Sequence, residues 1–155
     1  MKKLITTILT LTLLSFTIQA SAGEQQTFYY PTGEVGQVQE IVNGKASKVT
    51  YYHKTSEIKE INEFFDGRPL KATVYHKTGK VKQVQEYVNG KVSKITHHHK
   101  TGKVKVVQFS NDNISKITYH HKTGEVTQVR DFIDGKKSKI TDYHKNGEIK
   151  KVRVF

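Results

Sequence analysis

The sequence predicts a mainly β protein, an antiparallel meander of about six stacked β-hairpin repeats of 22–23 residues in a single, solenoid-like sheet. Three observations predict it. Threonines recur at Thr27, Thr50, Thr73, Thr96, Thr118 and Thr141, at intervals of 23 residues with one interval of 22. Each unit carries turn signals built on Gly, Asn or Asp, at two places in a complete copy. Between the turns lie stretches of about nine residues rich in Val, Ile, Tyr, Phe and Thr, which favour the pleated strand. A fixed period of this length is the signature of a repeat array, in which each unit covers its apolar side with its neighbours.

A distinct segment precedes the repeats. Met1, Lys2 and Lys3 form a short positive region, Leu4 to Ile18 is apolar with interspersed Thr and Ser, and Ala20-Ser21-Ala22 offers small residues. This is the layout of a secretory signal peptide over residues 1–22, cleaved after Ala22, with the repeat domain at 23–155. The apolar stretch is shorter than the about 20 residues a membrane helix requires. The mature chain is therefore expected to be exported, periplasmic or secreted, and not transmembrane after cleavage. Cysteine is absent, which excludes a disulfide framework, thiolate metal sites and a cysteine nucleophile.

The units follow in order. The first, from Thr27, has its turns at Thr32-Gly33 and Asn43-Gly44. The second, from Thr50, carries Thr55-Ser56 in place of the first pair and closes on Asp66-Gly67. The third, from Thr73, is the most regular, with Thr78-Gly79 and Asn89-Gly90. The fourth, from Thr96, keeps Thr101-Gly102 but replaces Asn-Gly by Asn111-Asp112 and is one residue short. Since a one-residue change in a strand flips its faces or demands a bulge, this unit is expected to be irregular. The fifth, from Thr118, returns to Thr123-Gly124 and Asp134-Gly135. The sixth, from Thr141, has Asn146-Gly147 and stops at Phe155 as a truncated copy. Asn-Gly and Asp-Gly favour positive φ at both central residues, the geometry of a two-residue hairpin. About eleven strands are expected.

One pattern points elsewhere. Val35 and Val38, Ile58 and Ile61, Val81 and Val84, and Val126 and Val129 are three apart, whereas strict strand alternation would space them by two. Val35, Val38, Ile41 and Val42 also fit one face of a short helix capped by Asn43-Gly44. A strand-plus-short-helix repeat is the alternative. Strands with a bulge are preferred, because the segments are short and β-branched.

The recurring order of Tyr-Tyr or Tyr-His, then Gly, Lys or Glu, Val or Ile, an aromatic residue and Asn-Gly-Lys resembles the MORN-variant repeat over Thr27 to Phe155. That repeat occurs in bacterial exported proteins and in proteins labelled as antitoxin components. The resemblance implies an elongated single sheet of stacked hairpins and an interaction role, without a family-wide catalytic site.

The chemistry-bearing residues point the same way. The net charge is +12, a field that attracts an anionic polymer, a lipid surface or an acidic protein. The lysines are spread over all repeats, and the plainer account is that they solubilise strands and guard edges. Arginine is confined to Arg68, Arg130 and Arg153, which argues against sequence-specific nucleic-acid readout. Tyrosine and phenylalanine recur at Phe28, Tyr29, Tyr51, Tyr52, Tyr75, Tyr119 and Tyr143, and at Phe64, Tyr87, Phe109, Phe132 and Phe155. Cross-strand pairing explains them most simply, and a stacking platform is the functional alternative.

Histidine is the conspicuous residue. All eight lie in one corner of the repeat, and stacking would align His53, His76, His99, His121 and His144 as a partner-contact ladder. Imidazoles could bind a transition metal or gain charge under mildly acidic conditions. Ladder neighbours are expected about 9–10 Å apart, too far to share one ion, so His97 and His99 form the better candidate metal pair. Ser47, Ser93 and Ser138 sit between lysines with no base motif beside them, and no phosphate loop or metalloprotease motif occurs. No catalytic residue and no cofactor are expected. Three readings follow: a binding module for an anionic envelope or extracellular partner, an antitoxin-like protein-interaction or inhibitor protein, and a self-associating surface protein.

Overall fold

Asn-Gly and Asp-Gly pairs lower the cost of positive φ, and the chain uses them so. Asn43, Asp66, Asn89 and Asp134 adopt φ of 51°, 50°, 52° and 50°, followed by glycines at 72°, 78°, 77° and 74°. These are mirror-image turns whose twist matches the flanking strands. In the computed structural model, which describes residues 23–111 and 113–155, they join an unbroken antiparallel meander. The expected signal peptide at 1–22 lies outside the described residues.

Twelve strands form, one more than expected: β1 (Glu24–Tyr29), β2 (Val35–Val42), β3 (Lys45–Tyr52), β4 (Ile58–Phe65), β5 (Arg68–Tyr75), β6 (Val81–Val88), β7 (Lys91–His98), β8 (Val104–Asn111), β9 (Asn113–His120), β10 (Val126–Ile133), β11 (Lys136–Tyr143) and β12 (Ile149–Val154). The truncated last copy keeps Ile149 and Val152, enough for a full edge strand. Spatial order equals chain order from β1 to β12 in one sheet. The strand-plus-helix alternative does not form, and no helix occurs among the described residues. None is therefore long and apolar enough to cross a membrane.

The three-residue spacing is resolved by bulges. Across β5 and β6, Val74 pairs with Gln83 but Tyr75 pairs with Val81, so Lys82 is the extra residue. The same slip leaves Gly36, Lys59, Lys105, Thr127 and Lys150 as extra residues beside the equivalent turns. One inserted residue returns Val81 to the face of Val84, which a two-residue period alone would forbid. A second bulge lies near each opposite turn, where Ser47, Leu70, Ser93, Ser115 and Ser138 are the extra residues. Ser47 Oγ and Ser93 Oγ each donate to the carbonyl of the facing strand at 3.1 Å, Glu40 and Glu86 respectively. This is the structural use of the repeated serines.

Residues directly opposite one another share a face, so the register defines rungs. The central rung runs Thr27, Val38, Thr50, Ile61, Thr73, Val84, Thr96, Val107, Thr118, Val129, Thr141 and Val152. The recurring threonines are thus the spine of one face, and Thr50, Thr73, Thr96 and Thr141 are buried. On the same face an ionic rung pairs Glu40 with Lys48 at 2.9 Å, Glu63 with Lys71 at 2.8 Å and Glu86 with Lys94 at 3.1 Å. Being half-exposed, such pairs each contribute about 0–1 kcal/mol, and their main effect is to set register.

The fourth unit keeps that register. Val107 pairs with both Thr96 and Thr118, and Asn111 pairs with Asn113. Along the described residues of β8 and β9 the rungs therefore stay aligned as in the other units, and residue 112 lies outside them. Phe109 occupies the ionic rung between Lys94 and Lys116. Its grouping with Phe64, Tyr87 and Phe132 therefore fails, since those three lie on the other face.

A single layer leaves both faces wet. Among described apolar side chains only Val49 and Ile140 are buried, both on the face opposite the threonines. Backbone geometry then matters more than core volume. Ser56 has φ of 69° where the equivalent residue of the other units is glycine. A side chain in that region costs about 1–2 kcal/mol. Ser56→Gly is expected to raise the midpoint of thermal unfolding, equivalent to about 1 kcal/mol after the entropy of glycine is counted. A lowered midpoint would show that Ser56 is not strained.

Candidate functional site

Six turns gather at one end of the sheet, joining β1–β2, β3–β4, β5–β6, β7–β8, β9–β10 and β11–β12. They share one construction. In the third, the His76 N–H donates to the Lys80 carbonyl at 2.8 Å and the Gly79 N–H donates to the His76 carbonyl at 2.9 Å. This is a tight turn closed by a residue of positive φ, glycine in every copy but the second. Tyr30, His53, His76, His99, His121 and His144 open the six turns at equivalent positions. The histidine ladder is therefore a column of turn-opening residues just beyond the strands. In the first unit the Tyr30 hydroxyl donates to the Tyr52 carbonyl of the next unit at 2.7 Å.

Lysine follows the ladder residue as Lys54, Lys77, Lys100, Lys122 and Lys145, and fills the bulge as Lys59, Lys82, Lys105 and Lys150. The residue after the positive-φ position varies, and the variation has a pattern: Glu34, Glu57, Lys80, Lys103, Glu125, Glu148. The glutamates are held in place. Glu34 lies below the usual carboxylate range, chiefly because the Thr32 hydroxyl donates to it, then its own backbone N–H, with Lys54 adding attraction. Glu57 is lowered in the same way by Thr55 and its own N–H, then by His53 and Lys77. Glu125 is lowered by Thr123 and its own N–H, then by His121 and Lys103. Glu148 accepts from Asn146 Nδ2 at 2.8 Å.

The middle two turns differ. Lys80 and Lys103 replace the carboxylates, and a histidine triplet, His97, His98 and His99, lies next to them in sequence and fold. A groove of about 550 Å³ is lined there by His76, His97, His98, His99, Lys82, Lys100 and Lys105, with Val106 and no carboxylate. His97 is shifted below the ordinary imidazole value, first by burial and then by Lys105 and Lys82. Burial lowers His98 too, followed by repulsion from His97.

Of the ladder, the structure brings His76 and His99 to this groove and leaves His53, His121 and His144 at their own turns. The candidate metal pair His97 and His99 lines it as well. Among the described residues no group of three or more His, Asp or Glu side chains is placed to hold a metal ion. Sequence reading missed Lys82 and Lys105 as groove residues because nothing in the pattern marks them as bulged. The Glu-to-Lys change at 80 and 103 was visible in the aligned repeats.

The lowered histidines give a pH dependence of stability. As pH falls, the unfolded chain, with imidazoles near 6.5, takes up protons before folded His97 and His98 do. Their contribution is whole above about pH 6.5 and is lost as pH falls through their folded values. Melting temperature is expected to decline from pH 7.5 to pH 5, and the decline to shrink in a His97→Gln, His98→Gln double variant. Parallel declines in both proteins would refute the assignment.

No family model matches this sequence, and neither does any curated protein. Solved structures show a limited likeness. One, of accessory secretory protein 1, 2 and 3 from Streptococcus pneumoniae, is 13% identical with a TM-score of 0.46, over 62% of this chain and 19% of that one. Another, a Glycosylation Associate Protein complex from Streptococcus agalactiae, is 13% identical with a TM-score of 0.47, over 63% of this chain and 19% of that one. The chain spans about a fifth of the length of each. At these values neither bears on what this chain binds.

Proposed function

We propose that this chain is an exported, non-enzymatic binding module whose lysine-bearing turn edge engages an anionic partner in the envelope or outside the cell. One observation carries the reading. The turn edge repeats Lys at the position after the ladder residue in five units and in the bulge in four, against four glutamates in the same turns. The opposite edge carries Lys45, Arg68, Lys91, Lys136 and Lys137 against Asp66 and Asp134 at its turns, and there Lys45 is paired with Asp66. The excess of positive charge is therefore larger at the first edge, although lysine is spread along the sequence. The sheet supplies many equivalent weak contacts, as the resemblance to MORN-variant repeats also suggests.

Contacts of this kind are screened within about 8–10 Å at physiological salt. Residues 23–155 passed over an immobilised anionic polymer are expected to be retained at low ionic strength and released by a few hundred millimolar salt. A single protein partner that survives high salt would replace this reading with the inhibitor one. Absence of retention at low salt would end it.

A further inference from the structure

The repeats carry their own picture of a ligand. In the first, second and fifth turns a carboxylate accepts from a threonine hydroxyl and from a backbone N–H, with a cation alongside. The third and fourth turns retain the threonines, Thr78 and Thr101, and the backbone course, but their side chains at 80 and 103 are lysine. Lysine cannot fill a carboxylate position. At Thr101 the freed oxygen meets only the Lys103 N–H, at a long 3.5 Å.

The neighbouring cations follow the same change of residue. Lys54 acts on Glu34 and Lys77 on Glu57, each reaching back one turn. At the equivalent place in the next pair of turns, Lys100 follows a third turn whose residue 80 is Lys and not Glu. Lys103 leans forward instead, donating to the Thr123 carbonyl at 3.3 Å and acting on Glu125 of the fifth turn, which leaves its own turn without a carboxylate. Lys82 and Lys105 add charge from the bulges of β6 and β8. Ring nitrogens of His76, His98 and His99 are shielded from solvent and meet no protein partner.

We propose that the third and fourth turns are paired receptor sites for two carboxylates of an acidic polypeptide segment, an assignment that rests on the anion-binding reading above. The group that fits is the one the sister turns already hold, a peptide-borne carboxylate. The spacing agrees. Equivalent turns lie two strand separations apart, about 9.6 Å, which matches one three-residue turn of polyproline II chain at about 3.1 Å per residue. Acidic side chains three apart on such a segment lie on one side of it and would therefore reach both turns together.

The test restores the missing carboxylates. Lys80→Glu with Lys103→Glu gives these turns the residues their sisters carry, so the fold is expected to keep its melting temperature. A control, Arg68→Glu with Lys136→Glu, changes net charge equally at the opposite edge. Labelled poly-L-glutamate, polygalacturonate and inorganic polyphosphate, matched in charge, are titrated against all three proteins by fluorescence anisotropy. Poly-L-glutamate is expected to bind most tightly, to lose at least tenfold in affinity with the Lys80, Lys103 variant and to change less than threefold with the control. Equal losses in both variants would overturn the paired sites and leave the general anion-binding reading intact. Tighter binding of polygalacturonate or polyphosphate would overturn the polypeptide assignment. Absence of binding to all three would overturn both readings.

Discussion

Deleting Lys82 is expected to destabilise the protein far more than replacing it. Lys82 is the residue that lets Val81 and Val84 face the same side although three apart. Lys82→Thr copies the fifth unit, where Thr127 fills the bulge, and is expected to change stability by less than about 0.5 kcal/mol, as most exposed substitutions do. Deletion leaves two repairs. Either Val81 turns to the opposite face, or the turn at 77–80 is pulled out of its hydrogen bonds. The first forfeits about 1–2 kcal/mol of half-buried valine, and the second leaves the His76 and Gly79 amides without their acceptors, at a similar cost each. Denaturant titration of both variants decides the matter. A deletion as mild as the substitution would mean that the bulge is not what sets the faces. The fourth unit, one residue shorter than its neighbours, still keeps the rungs of β8 and β9 aligned over the described residues.

Thr96→Pro is expected to divide the unfolding of the sheet. Thr96 is buried on the central rung of β7, between Val84 and Val107. Proline there removes a donor that an interior strand uses and forces its ring against a neighbour, which is why proline is confined to edges and bulges. Pro69 obeys that rule, lying next to the bulge at Leu70 in β5. The orphaned acceptor costs about 1–3 kcal/mol. Its effect is local, because each strand touches only its sequence neighbours. In such an array stability is a sum of units and interfaces. Two separate transitions, one for each side of β7, are expected by calorimetry, with proteolytic cleavage concentrated near residue 96. A single transition shifted to lower temperature would show that cooperativity spans the whole sheet.

Most of the fold was legible because its determinants are local. Asn-Gly and Asp-Gly fix the turns by φ alone, and the threonine period marks the rung directly. The bulges were less legible. Nothing distinguishes Lys59 or Lys82 from any exposed lysine, so the three-residue spacing could be read as a helical face until pairing was known. Phe109 was misplaced for a related reason: an aromatic residue one position early in a strand lies on the other face. At the turn edge, the ladder of His53, His76, His99, His121 and His144 was legible as a column. The convergence of His76 with the triplet was not, since it depends on how neighbouring turns lie against each other. The decisive column, Glu34, Glu57, Lys80, Lys103, Glu125 and Glu148, hid behind an overall charge that drew attention to lysine as a total.

The order of the strands has a mechanical consequence. Chain order and spatial order coincide from β1 to β12, so the two edge strands are also the two ends of the described chain. Tension applied between Glu24 and Val154 acts across the ladders, not along them. Backbone hydrogen bonds then open one after another, like a zipper, instead of resisting together in shear. Each repeat would release roughly 70 Å of extended chain as it peels away. Such a sheet yields at low force in repeat-sized steps, holding whatever lies at its middle turns until the outer repeats have been spent.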